Sequence, residues 1–144
     1  MRCIVNACMM ARTSFSEPEE VHRFWRYLNL QHLIAYCGLT DGYNIDNFFG
    51  PLVEKYSLLG DEREREEERA YLSTVDVDAE GLRACAMYEV WTLEIAHAQA
   101  AMTPLFTPPV HAQLNAEVLN VGNSIKRLYA YSYQVLHFPL SRAT

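Results

Sequence analysis

The sequence lacks the features that several large protein classes require. No run of about 18 apolar residues, the length of a membrane-spanning helix, occurs in it. Basic residues are few and scattered, with 12 Lys and Arg against 18 Asp and Glu and a net charge of −6, which argues against a nucleic-acid surface. The 4 cysteines form no C-x-x-C pair and no clear secretory signal is present, which is typical of reduced thiols. The 6 glycines are dispersed and form no phosphate-binding loop.

What the sequence does contain is apolar residues at helical spacing. Apolar residues make up 50% of the chain and charged residues 21%, as in folded domains. Near the C-terminus the apolar positions recur every three or four residues, and Pro108 and Pro109 suit the first turn of a helix. This pattern predicts one long helix that begins at Pro108 and ends at Pro139. The same spacing predicts a helix over 79–102 and a shorter one over 45–59.

The N-terminal part of the chain contains one clear helix start. Ser16, followed by Glu17-Pro18-Glu19-Glu20, combines a capping hydroxyl, a first-turn proline and acidic residues that the helix dipole favours. The sequence predicts a helix from this start to about Tyr36, and Gly38 is expected to end it.

The predicted elements define the fold class and the domain boundaries. Residues 61–69 alternate acids and arginines, which is typical of a solvated helix face or a flexible loop. Residues 1–20 show no convincing amphipathic repeat, and we interpret them as an N-terminal segment that could be the remnant of a preceding apolar segment. Residues 21–144 are expected to form one all-α domain, a bundle of about four helices with a long C-terminal helix.

One enzyme-like pattern can be assembled. Glu94 and His97 share a helix face, as do Glu19 and His22, and pairs of Glu-x-x-His helices hold metals in carboxylate-bridged di-iron bundles. Glu19 and His22 lie in the first turn of the first predicted helix, next to a proline, and a frayed helix end holds a metal poorly. Such a site would also need further carboxylates. Glu54 and Glu117 are the candidates, but their spacing does not single them out for this role. The preferred expectation is a protein that is not an enzyme and holds no cofactor or metal.

Two stretches resemble marker sequences of the bestrophin family of anion channels. Residues 26–33 read RYLNLQHL, and residues 128–131 read LYAY, followed by VLHFPL at 135–140. In that family an arginine-tyrosine segment follows the second membrane helix, and a long helix ends in a tyrosine-rich stretch before the third. The resemblance covers about residues 21–140. The positions that carry it are Arg26, Tyr27, Leu28, Leu128, Tyr129, Tyr131 and Pro139.

The resemblance implies a function and partners. It implies permeation of chloride, and of bicarbonate as a second anion, through a homopentamer that is held in a membrane by segments absent from this chain. The chain would be the cytosolic region between the second and third membrane helices, and without them it is expected not to conduct. The apolar neck and the acidic calcium clasp of animal members lie in parts that this sequence lacks.

The resemblance also assigns the pore-lining positions. The narrow cytosolic aperture of the family maps to Pro109 and Val110, at the start of the long helix. An apolar ring there would gate by dewetting, and helix N-termini would attract anions. The alternative function is that of a helical adaptor, which would bind a protein partner through the exposed stripe of the last helix.

Overall fold

The fold is all-α, as the sequence predicts. A computed structural model of the chain describes residues 2–39, 60–75 and 81–142, with backbone alone for Gly38 and for 132–142. These ranges contain five helices and no strand. The predicted helix over 45–59 lies outside the described residues. The helices are α1 (Arg2–Ser14), α2 (Pro18–Leu39), α3 (Glu62–Leu72), α4 (Gly81–Met102) and α5 (Pro108–Arg142).

Helices α1, α2, α4 and α5 pack as an up-and-down bundle around one core. Helices α2 and α4 are antiparallel, because Ser16, just before α2, bonds Gln99 near the end of α4, while Gln31 late in α2 bonds Glu89 in the first half of α4. Helix α5 returns parallel to α2, and the tight turn at 15–17 makes α1 antiparallel to α2. Helix α1 has 13 residues and α2 has 22, so the start of α1 lies part-way along α2, whereas α5 continues beyond Tyr129 to Arg142.

Helix α1 was not predicted from the sequence, in which residues 1–20 show no convincing amphipathic repeat, and that prediction was wrong. Ile4, Ala7, Ala11 and Ser14 are buried, and they lie three or four residues apart on one face. The pattern is weak in hydropathy because small residues carry it. Alanine and serine allow the backbone of α1 to approach its neighbours closely, and this packing stabilises the helix.

The predicted ends of α2 were wrong at both termini. Ser16 does not cap the helix, since its hydroxyl and its backbone N–H both donate to Gln99 Oε1, at 3.3 and 3.0 Å. The carbonyl of Glu17 accepts the first helical bonds instead. At the other end the helix continues through Gly38 to Leu39, because glycine permits a helix end but does not require one.

Helix α5 is longer than predicted. It has 35 residues, about 52 Å at roughly 1.5 Å per residue, and continues past Pro139 to Arg142. The expectation that Pro139 ends the helix was wrong, because a proline removes one backbone hydrogen bond while the turns on either side keep helical geometry.

The charged run forms helix α3, which begins with a capping box. Asp61 Oδ1 accepts from the Glu64 N–H at 2.8 Å, and Glu64 Oε2 accepts from the Asp61 N–H at 3.2 Å. These two bonds satisfy backbone donors that a helix start leaves free. Leu72 and Glu68 are the buried residues of α3.

Candidate functional site

The first marker stretch lies at a buried ionic cluster that joins α2 to α3. Arg26 is 1% exposed, and its Nη1 donates to both carboxylate oxygens of Glu68, at 3.0 and 3.1 Å. Arg26 Nη2 is 3.3 Å from Glu64 Oε2, and Arg23 Nε is 2.9 Å from Glu64 Oε1. Two arginines of α2 thus hold two glutamates of α3. Since an unpaired buried charge is costly, each member of the cluster depends on the others.

Three aromatic rings, one from α2 and two from α4, pack beside the cluster. The Arg26 guanidinium carbon is 4.7 Å from the centre of the Tyr27 ring, within cation–π range. The Tyr27, Tyr88 and Trp91 rings lie 5.5 to 5.9 Å apart from centre to centre. Burial raises the pKa of Glu68, and Arg26 opposes that rise. Burial, and then the neighbouring Glu68 carboxylate, raise the pKa of Tyr88 well above its usual range.

The three marker residues of this stretch therefore have structural roles. Arg26 forms the ion pair with Glu68. Tyr27 packs its ring against the guanidinium and against Trp91, and Leu28 is fully buried in the core. All three side chains are buried, at 4% exposure or less.

The second marker stretch joins α5 to the last turns of α2. The Tyr129 hydroxyl donates to the carbonyl oxygen of Ala35 at 2.8 Å, and burial raises the pKa of Tyr129. Leu128 and Tyr131 are 42% and 67% exposed and face outwards. Pro139 lies within α5, and its side chain is outside the described residues. Tyr129 of the second stretch thus bonds α2 at Ala35, two residues after the first stretch ends.

Helix α5 starts with few hydrogen-bond donors. The Thr107 carbonyl accepts from the His111 N–H at 2.9 Å, which makes Thr107 the last residue before the helix. Pro108 and Pro109 have no N–H, so two of the four donors that a helix start normally leaves free are missing. Pro109 is exposed, and Val110 is half-buried against the core. An anion at this helix start would be attracted mainly by the helix dipole and only weakly by hydrogen bonds.

The outward face of α5 carries no acidic side chain over most of its length. Glu117, which is half-buried, is the one acidic residue between positions 108 and 131, and Lys126 and Arg127 are exposed. The remaining exposed residues up to position 125 are small, amide-bearing or apolar: Pro108, Pro109, Ala112, Gln113, Ala116, Leu119, Asn120, Asn123 and Ser124.

A cleft of about 480 Å³ between α2 and α4 has the opposite character. Arg23, Tyr27 and Trp91 also line it, but four carboxylates dominate its charge, so it disfavours anions. These are Glu17, Glu20, Glu67 and Glu94.

The di-iron alternative finds no support in the described residues. Glu94, His97, Glu19 and His22 are all exposed, and no three His, Cys, Asp or Glu side chains among the residues that the structure describes lie close enough to hold a metal. Glu54 lies outside those residues. The His97 ring is exposed and lies 6.0 Å from the His111 ring.

Sequence reasoning missed two polar residues that organise the site. Glu68 was read as part of a solvated run, yet Glu64, Glu68 and Leu72 lie four residues apart, which places them on one face. That spacing was the signal. Gln99 is 2% exposed and bonds Ser16 and Glu17, and no local pattern in α4 distinguishes it.

Comparisons with protein-family models, with curated proteins and with solved structures give no match to this chain. Among the helices in the described ranges, none combines the length and the hydropathy that crossing a membrane requires.

Proposed function

We propose that this chain is the helical, non-membrane part of a bestrophin-type anion channel, which passes chloride or bicarbonate through a homopentamer. The observation that carries the proposal is the outward face of α5. The protein has a net charge of −6, yet this face exposes amides, small residues and two bases, with no exposed acid.

Coulomb's law explains why this distribution matters. A carboxylate about 5 Å from a passing anion opposes it by roughly 0.8 kcal/mol in water, and by several times more in a narrow passage of lower dielectric constant. A row of exposed acids along α5 would therefore exclude anions. In the part of the chain that the structure describes, the acids are concentrated instead in α3 and around the cleft between α2 and α4.

The start of α5 suits a constriction through which anions pass but where they do not bind tightly. Around a fivefold axis, Pro109 and Val110 of five copies would form an apolar ring, which opposes ion passage by dewetting. The missing N–H groups of the two prolines leave mainly the helix dipole to attract an anion. Weak attraction favours conduction, because an ion that enters must also leave.

Anion currents test the proposal directly. The coding sequence that contains this region, read through on both sides, should encode membrane spans next to it, and its expression should give chloride current in whole-cell recordings. Val110→Ala should widen the ring and raise the relative permeability of large anions, whereas Leu105→Ala, at an apolar residue that is 80% exposed just before α5, should not. Absence of anion current, or equal behaviour of the two variants, would refute the proposal. Current from the 144-residue chain alone in planar bilayers would contradict the expectation that it does not conduct.

A second candidate function is that of a helical adaptor. Leu128 and Tyr131 are exposed large side chains on α5, and such positions often anchor a protein partner. Light scattering that shows a stable monomer at high concentration, without detergent, would favour the adaptor over the pentamer.

A further inference from the structure

Helix α1 exposes a face that combines apolar and basic side chains. At about 100° per residue, Arg2, Val5, Met9 and Arg12 lie within an arc of roughly 80°. Val5 and Met9 are 56% and 63% exposed, and both arginines are exposed. The opposite side of α1 is the buried one that packs on the bundle. The apolar side chains lie between the two charges.

A tryptophan of α2 extends this face. Trp25 is half-buried and lines a shallow groove of about 260 Å³ together with Val5, Met9 and Arg12. The His22 ring stacks on Trp25, with ring centres 5.5 Å apart and planes 26° apart. We call Arg2, Val5, Met9, Arg12 and Trp25 the α1 face.

The charge of the α1 face differs from that of the rest of the protein. The first sixteen residues contain two arginines and no acidic residue, in a chain whose net charge is −6. The nearest acid along α2 is Glu19, which lies on the same side of that helix as His22 and offsets part of this positive charge. Because charges are screened beyond about 8 to 10 Å at physiological salt, the local positive charge and not the total decides what docks on this face.

We propose that the α1 face rests on an anionic lipid surface. Arginine binds phosphate oxygens with two parallel hydrogen bonds, which suits lipid headgroups. Val5 and Met9 would enter the boundary between headgroups and acyl chains, as the apolar side of an interfacial helix does. Trp25 has the amphipathic ring that is enriched at this depth of a bilayer. A convex helix face with charges at both ends suits a flat surface better than it suits a peptide, which needs a deeper groove.

Two arginines and two apolar side chains give weak, reversible and salt-sensitive binding. The inference does not depend on the proposed channel, because it uses none of α5 and concerns contact with lipid, not ion passage. Loss of lipid binding would leave the anion-current test unaffected, and the reverse also holds.

Vesicle sedimentation of the 144-residue chain tests this proposal. Binding is expected to phosphatidylcholine vesicles that contain phosphatidylserine, and not to phosphatidylcholine alone, with a fall of about tenfold or more at high salt. Arg2→Gln/Arg12→Gln should weaken binding by about thirtyfold. The control Arg63→Gln/Arg127→Gln removes the same charge from exposed positions elsewhere and should bind as the wild type does.

Tryptophan fluorescence tests the orientation on the vesicle. The chain has 2 tryptophans, so Trp91→Phe leaves Trp25 as the reporter, and Trp25→Phe leaves Trp91. Brominated lipids should quench the first variant and not the second, and Val5→Ser/Met9→Ser should reduce the quenching. Circular dichroism would establish that each variant folds. If Trp91→Phe does not fold, sedimentation of the arginine variants alone tests the proposal.

Three results would overturn the proposal. One is equal binding to both kinds of vesicle. Another is equal loss of binding in the control pair. The third is a chain that sediments without lipid as an oligomer and that Val5→Ser/Met9→Ser converts to a monomer, since a second copy would then cover the α1 face.

Discussion

Replacing Arg26 by methionine should destabilise the fold in a pH-dependent way. Arg26 and Glu68 are each 1% exposed, and their ion pair joins α2 to α3. Removing one partner of a buried pair leaves the other charge uncompensated, which costs about 3 to 5 kcal/mol. For a domain of this size, that corresponds to a melting temperature lower by at least about 6 °C.

The direction of the pH dependence follows from Glu68. Burial already raises its pKa above the ordinary 4.5 in the folded protein, and Arg26 counteracts this. A carboxyl with a raised pKa binds its proton more tightly in the folded state, so the folded state loses stability as pH rises from the unfolded pKa to the folded one. Without Arg26 the folded pKa rises further, and this loss extends to higher pH. Arg26→Met should therefore cost more at pH 8 than at pH 5, by up to about 1.4 kcal/mol for each pH unit below the folded pKa.

Urea unfolding followed by far-ultraviolet circular dichroism at both pH values measures these effects. The double variant Arg26→Met/Glu68→Leu should be more stable than Arg26→Met, because it removes the stranded charge together with its partner. Arg63→Met breaks an ion pair on the same helix that is 87% and 56% exposed, and it should change stability by about 0.5 kcal/mol or less. The reasoning about the buried pair would be wrong if Arg26→Met had the same cost at both pH values and if the costs of Arg26→Met and of Glu68→Leu alone added up to the cost of the double variant.

Three further predictions concern single residues. Gln99→Leu should cost about 1 to 3 kcal/mol in a thermal melt and speed hydrogen exchange at the Ser16 amide, which loses its acceptor; unchanged exchange would count against the bond. Tyr129→Phe removes the donor to a backbone carbonyl and should cost about 0.5 to 1.5 kcal/mol, whereas Tyr131→Phe should be neutral; equal costs would contradict this. Burial raises the pKa of Cys85 to about 12, so its thiol should react with an aromatic disulfide at pH 8 only after denaturation, and rapid labelling of the folded chain would be the contrary result.

Much of the fold could be predicted because helical periodicity is a local property. The long final helix, the helix ending at Met102 and the all-α class follow from apolar spacing, prolines and caps within short windows. The wrong predictions arose because they too used short windows of sequence, which do not show distant partners or faces made of small residues. A serine before Glu-Pro-Glu-Glu is a good cap by composition, but Ser16 bonds a glutamine 83 positions away instead. Helix α1 escaped notice because alanines carry its buried face, and their low hydropathy conceals the period.

The features of the candidate site also separate into those that the sequence predicts and those that need the tertiary structure. The sequence by itself determined that α5 would be long, start at two prolines and carry few acids, since each of these is a count along one helix. Only the tertiary structure decided that Arg26 is buried and paired with Glu68, that Tyr129 bonds the Ala35 carbonyl, and that the α1 face remains exposed. The physical reason is that the free energy of burying a charge or a hydroxyl depends on the partner it finds. Here the partners are 42 and 94 positions distant, beyond the reach of any local pattern.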